Sequence, residues 1–281
     1  MIGVALALAS ALGYGISDFV GGIASRRVAA LRVVLVSYPI ALAMLGVLAA
    51  VVGGDISHGA VFWGGLCGIS QAFGIWWFYA ALGSGPISVV SPLTAVLVAG
   101  IPVGVGLALG ERPGVLAAVG VVLALVAVVL VSREATDEDV KPHPFTAKVA
   151  WLTVGSGVAF GLNFVLIHQA PVEARLWPLV FARLSASVLV FVVAALSGNL
   201  RPPTGTPLRL AVLAAFFDVG ANIAMLLALQ ASLLSLASVL MSLYPAATVL
   251  LAIIVLRERV TRSQVVGMVL ALTAVAMIAA G

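Results

Sequence analysis

Apolar residues run along this chain in ten long blocks, each closed by a short polar turn. One α-helical crossing of a bilayer takes about 20 consecutive apolar residues, within roughly 17–25. The blocks predict spanning helices at 2–24, 33–52, 61–82, 87–109, 114–131, 149–168, 177–197, 208–230, 234–256 and 263–280. The first lacks a charged leading segment and a small-residue cleavage site, so it is expected to remain as a span and not to be removed as a signal peptide. Connections such as 83–86 and 231–233 are so short that their flanking helices must form tight antiparallel hairpins.

The polar positions carry a longer period. Shifted by 147 residues, 81–131 falls on 228–278 without a gap. Glu111 then meets Glu258, Arg112 meets Arg259, Ser88 meets Ser235, Ser91 meets Ser238 and Gly120 meets Gly267. Matches among Ala, Val and Leu mean little here, but a Glu-Arg pair and two serines at one offset mark a tandem duplication. Upstream, the stretch from Tyr14 to Val20 resembles that from Phe160 to Val165 once one residue is skipped, which sets Asp18 opposite Asn163. Arg32 corresponds to Arg183, and Gln71 falls opposite Asp218.

The charged, proline-containing segment 132–148 reads as a solvated linker. The expected organisation is a first five-helix repeat over 1–131, the linker at 132–148, and a second five-helix repeat over 149–281. Five is odd, so the second copy must enter the membrane upside down. The fold class is therefore all-α, a polytopic membrane protein of ten helices in two inverted repeats. Inverted repeats characterise secondary transporters, whose substrate site lies near the midplane where the halves meet.

Composition agrees. Hydrophobic residues make up 63% of the chain and charged residues 9%, whereas a soluble domain is near half apolar and a quarter charged. The formal charge of +4 rests on 14 Lys and Arg scattered at span ends without a basic face, so no nucleic-acid partner is expected. The lone Cys67 leaves no intrachain disulfide to form. No phosphate-binding Gly-rich loop occurs, and no cofactor or metal is expected.

Three charged groups fall well inside spans: Asp18, Arg183 and Asp218. A charge at the bilayer centre costs about 2.5–3.5 kcal/mol on insertion scales, so each is a functional candidate. Asp218 is near the middle of its span, with Asn222 one turn on and sharing its face. Asp18 has Tyr14 and Ser10 stacked above it as a polar stripe. Either acid would bind substrate or a proton, or would pair with Arg183 or Arg32 and lock helices together. Arg32 and Arg183 stand near a membrane face, where an arginine snorkels, and are read as structural charge-pairing residues. Asn163, Asn222 and Gln71 are side chains of the kind that join helices. They are retained as candidates because they cluster at repeat-equivalent positions. Glu111 and Glu258 sit at span ends beside arginines and are expected to fix turns by pairing. Trp76, with Trp77, Phe78 and Tyr79, belongs either to an interfacial aromatic belt or to a substrate cavity. Gly-x-x-x-Gly spacings at Gly64/Gly68, Gly100/Gly104, Gly106/Gly110 and Gly157/Gly161 suit close crossings. Pro92, Pro102 and Pro245 are expected to interrupt the fourth and ninth spans and to mark gating positions.

Several of these features together resemble the ten-helix EamA-type proteins of the drug/metabolite transporter superfamily. They are the Gly110-Glu111-Arg112 turn, Arg257-Glu258-Arg259 followed by Gln264 and Gly267, the Ser88-Val89-Val90-Ser91-Pro92-Leu93 segment, and Tyr14-Gly15 with Arg26 and Arg32. Arg257 stands where that family commonly has Gly. The resemblance implies a secondary carrier of small metabolites or drugs, often outward, without ATP. Asp18 is also similar in place to the first-helix membrane glutamate of small multidrug resistance proteins. That similarity implies an acid that binds proton and cation in turn.

The expected function is a secondary transporter, an exporter of a small organic solute, with protons as the candidate coupling ion bound at a buried Asp. Its partners are the solute and the lipid bilayer, it acts as a monomer, and it resides in the cell membrane. A lipid-translocating flippase of the same fold and an intramembrane aspartyl protease are the alternatives; the protease lacks a Gly-x-Gly-Asp motif. Eleven of the Lys and Arg flank odd-numbered connections and two flank even-numbered ones, which by the positive-inside rule places both termini outside the cytoplasm. The family resemblance implies both inside.

Overall fold

The computed structural model describes residues 2–25, 27–82, 84, 87–132, 146–256 and 261–280. Arg26, most of the linker, and Arg257, Glu258 and Arg259 lie outside them, as do the side chains of Tyr79, Ser88, Ser91 and Pro92. The described chain is helical: α1 (Ile2–Ser25), α2 (Ala30–Val52), α3 (His58–Leu82), α4 (Ile87–Ala108), α5 (Val115–Ser132), α6 (Ala147–His168), α7 (Trp177–Leu196), α8 (Thr206–Ala231), α9 (Leu234–Met241), α10 (Tyr244–Leu251) and α11 (Arg262–Ala280). Every predicted span falls on helix. Seven of the described helical stretches are long and apolar enough to cross a membrane on those grounds, and two shorter apolar stretches, Leu93–Ala108 and Val115–Val131, lie within α4 and α5.

Local chemistry sets several ends. Thr146 caps α6 by accepting from Val149 N at 3.3 Å. Gly53, at φ +76°, ends α2 and donates its N–H to Ala49 O. Prolines occupy the first turns of α7, α8 and α10, where the missing N–H has no partner to lose.

The expectation of two interrupted spans holds for only one. The ninth breaks between α9 and α10 at Ser242–Leu243 and ends in a π-helical turn, Ala252–Leu256. Pro245, just past the break, cannot donate to the carbonyl four residues back. Two serine hydroxyls compete for carbonyls in the same stretch, Ser238 with Ser235 O at 3.2 Å and Ser242 with Ser238 O at 2.7 Å, and such back-bonding bends helices. The fourth span is corrected: α4 is continuous through Pro92 and Pro102. Proline alone is tolerated in a membrane helix where neighbours re-satisfy the freed backbone.

Packing exchanges elements between the repeats. α1 packs on α8 as α3 packs on α6; α2 on α8 as α3 on α7; α4 on α6 as α9 and α10 on α1; α2 meets α7, and α5 meets α11. The match extends to single residues. A Cβ on Gly15 would lie 2.9 Å from Tyr244 O and one on Gly161 would lie 3.0 Å from Leu97 O, and positions 97 and 244 are related by the 147-residue shift. Not every small-residue pair is a crossing. Gly64 and Gly68 admit α7, and Gly157 and Gly161 admit α4, whereas Gly100 and Gly104 face open space.

Candidate functional site: a charge centre between the repeats

Midway along α8, Asp218 accepts from Arg183 Nη2 of α7 at 2.5 Å. Arg183 is buried, at 3% exposure, and its guanidinium carbon lies 4.4 Å from the centre of the Tyr38 ring of α2. The cation is therefore sandwiched between a carboxylate and an aromatic face in a dry setting where both attractions are strong. Its Nη1 has no hydrogen-bond partner among the described residues. Asn222, one turn beyond Asp218, is also buried and donates to Asp218 O at 2.7 Å, so it serves the α8 backbone and leaves the carboxylate free for Arg183.

Asp18 differs. It is exposed, and its carboxylate accepts no hydrogen bond among the described residues. Its charge is within electrostatic reach of Asp218 and of Tyr244 on α10, so it faces the same centre from α1. The stripe above it fastens α1 to α8: Ser10 donates to Ala221 O at 2.9 Å, Tyr14 to Met225 Sδ at 3.4 Å and Ser17 to Ala214 O at 3.0 Å. The two serines meet α8 in antiparallel order, and Asp18 alone in the stripe has no hydrogen-bond partner among the described residues.

Asn163, the repeat counterpart of Asp18, is committed. Its Nδ2 donates to Cys67 O at 3.1 Å and approaches Cys67 Sγ at 3.0 Å, joining α6 to α3. Gln71, a turn further along α3, is half-buried and makes no hydrogen bond among the described residues. Trp76 stands apart. It is half exposed and stacks on Phe73 at 6.1 Å. Phe73 borders two apolar cavities of about 420 and 410 Å³ flanking α3, and neither is lined by a charged residue.

Arg32 opens α2 with its Nε buried and without a hydrogen-bond partner among the described residues, far along the chain from the Asp218 pair. Among the described residues Glu111 pairs with no arginine. Its Oε1 accepts from Leu234 N at 2.6 Å and its Oε2 from Ser235 N at 3.0 Å, which caps α9 of the other repeat. Arg112 turns instead to Leu107 O and Glu111 O. Glu258 lies outside the described residues.

Two members of the centre escaped the sequence reading, Tyr38 and Tyr244. Each stands in an apolar run, where a tyrosine looks like any interfacial aromatic. The only available signals were the next-residue prolines, Pro39 and Pro245.

Comparison with known proteins gives a consistent picture. A model of the EamA-like transporter family matches residues 1–133 and again residues 147–280. No curated protein matches the chain. A solved structure described only as a crystal structure of a protein superposes with a TM-score of 0.78 at 16% sequence identity, over 98% of this chain and 94% of its own. At that identity the likeness is one of fold.

Proposed function

Because the chain belongs to the EamA-like transporter family, and so is a multi-pass membrane transporter of the drug/metabolite superfamily and not an enzyme, we propose that it exports a small organic solute across the cell membrane as a monomer, in exchange for protons taken up at Asp18. The observation that carries this is the contrast between the two acids. Asp218 has its charge compensated by Arg183, whereas Asp18, close enough for their charges to interact, has no such partner among the described residues. An uncompensated carboxylate at depth is resolved by a proton or by a cationic group of the solute. Alternation between the two is the exchange that a coupled carrier needs. Asp218 and Arg183 hold the floor of the site, with Tyr38 fixing the guanidinium. We assign the two repeats to the segments on either side of the 132–148 linker.

The same contrast speaks against a protease dyad, which requires two carboxylates sharing one proton; Asp218 is already bound to a guanidinium. A lipid-translocating role draws on the two apolar cavities beside α3, but neither is lined by a charged residue that would select a headgroup.

The test is solute-driven proton movement in proteoliposomes. A panel of neutral, zwitterionic and singly charged metabolites and drugs is first screened by thermal shift, since a ligand of the folded state raises its stability. Those that bind are then offered against an internal pH dye. A solute that moves protons in the native protein and not in Asp18→Asn supports the proposal. Flux with unaltered pH dependence in Asp18→Asn overturns it.

A further inference from the structure

Among the described residues, the bonds that tie turns of one repeat to turns of the other all lie on one face of the molecule. α1 begins on that face, where Gly3 lies against Ala231 and Ser232 at the end of α8. The α2–α3 and α6–α7 connections are joined there by Asp55 N donating to Glu173 O at 3.0 Å and by Arg175 Nη1 donating to Val52 O at 2.5 Å. The α4–α5 turn is joined to the start of α9 by the Glu111 carboxylate. On the opposite face no hydrogen bond links the repeats through the described turn residues 27–29, 84, 197–205 and 261. Asp18, seven residues before α1 ends on that side, is exposed. The charge centre lies behind the tied face, since Asp18 is deep in α1, which begins there, and Asp218 is midway along α8, which ends there.

Glu111 is built for the sealing contact. Gly110, at φ +96°, turns the chain sharply after α4, and Glu111 N donates back to Gly106 O at 3.0 Å. A Cβ on Gly106 would collide with the Glu111 carboxylate and approach Ser235 N at 3.3 Å, so Gly106 leaves the room into which the carboxylate tucks. The residue before α9, Leu233, supplies no side-chain cap, and the two amides that Glu111 satisfies are free donors of the first turn. Their positive end attracts the carboxylate further. The element held in this way is the short half-helix that precedes the only broken span among the described residues, so its start can move without moving α10.

We propose that Glu111 is the positioning residue that keeps this face closed in the present conformation, and that release of its two bonds to α9 is the step that opens it. The inference rests on the carrier function proposed above. Its test reads access to the sealed face and needs no transported solute, so the two readings fail separately.

Ser235→Cys places a thiol behind the latch and keeps the backbone amide that Glu111 binds; the side chain there is buried, at 1% exposure. Native Cys67, at 2% exposure inside α3, serves as an internal reference for loss of fold. The full-length protein in nanodiscs is treated with a membrane-impermeant maleimide, and each thiol is followed by peptide mass mapping. In the Glu111→Ala background, labelling at position 235 rises about tenfold, the scale of a lost helix cap, while Cys67 is unchanged. Glu111→Gln, which still accepts one bond, gives a smaller rise. Equal labelling at 235 in all backgrounds overturns the proposal, and so does a parallel rise at Cys67, which would report unfolding. If Glu111→Ala fails to fold, the near-isosteric Glu111→Gln decides alone, by a rise at 235 without one at Cys67 or by its absence.

Discussion

Arg183 of α7 and Asp218 of α8 face each other 2.5 Å apart, and the ring of Tyr38 closes the other face of the guanidinium at 4.4 Å. α2 and α8 meet, as do α2 and α7, so this one cluster joins three helices drawn from both repeats. A buried ion pair adds little net stability when intact, yet it is costly to break on one side.

Removing one partner should therefore hurt more than removing both. Asp218→Asn leaves a buried guanidinium uncompensated and is expected to destabilise the fold by about 3 kcal/mol or more. Arg183→Met with Asp218→Leu should lose less than either single change. A double-mutant cycle by thermal or denaturant unfolding in detergent checks this, and additive losses would speak against the pair.

The aromatic face can be weighed separately. Tyr38→Phe keeps the ring over Arg183, whereas Tyr38→Leu removes it. The leucine variant is expected to lose about 1–2 kcal/mol beyond the phenylalanine variant, the size of a desolvated cation–π contact. The same unfolding assay measures both.

The glycine crossings make the repeat relationship testable. A Cβ at Gly15 would meet Ala247 Cβ at 2.5 Å, and one at Gly161 would meet Ile101 Cβ at 2.7 Å. Gly15→Ala and Gly161→Ala should each cost about 1–3 kcal/mol through overpacking. Gly100→Ala, which meets nothing within 4 Å, should be nearly neutral. Comparable losses at Gly15 and Gly100 would contradict the assigned contacts.

The helices were legible in the sequence because hydrocarbon accepts only long apolar runs with their backbone satisfied internally. The duplication was legible because polar residues at a fixed offset stand out against an apolar background. Partnerships were not. Glu111 adjoins Arg112 in the chain, and sequence proximity suggested pairing between them or their neighbours. Its bonds go instead to Leu234 and Ser235, more than a hundred residues away, a choice made by how the repeats dock. Asp218 had Arg183 and Arg32 as equal suitors until packing placed one against it and the other at the start of α2. Proline misled in the fourth span because a break needs more than a missing N–H. Around Pro245 the serine hydroxyls of Ser238 and Ser242 contribute as well.

The most direct measurement compares native protein with Asp18→Asn in proteoliposomes under an imposed pH gradient, using a solute that binds the purified protein. Asp18 makes no bond to lose among the described residues, so the variant should fold with nearly unchanged stability. It should lose the dependence of solute flux on the gradient, along with the proton movement that accompanies flux in the native protein. Flux that stays equally sensitive to the gradient in Asp18→Asn would contradict the account.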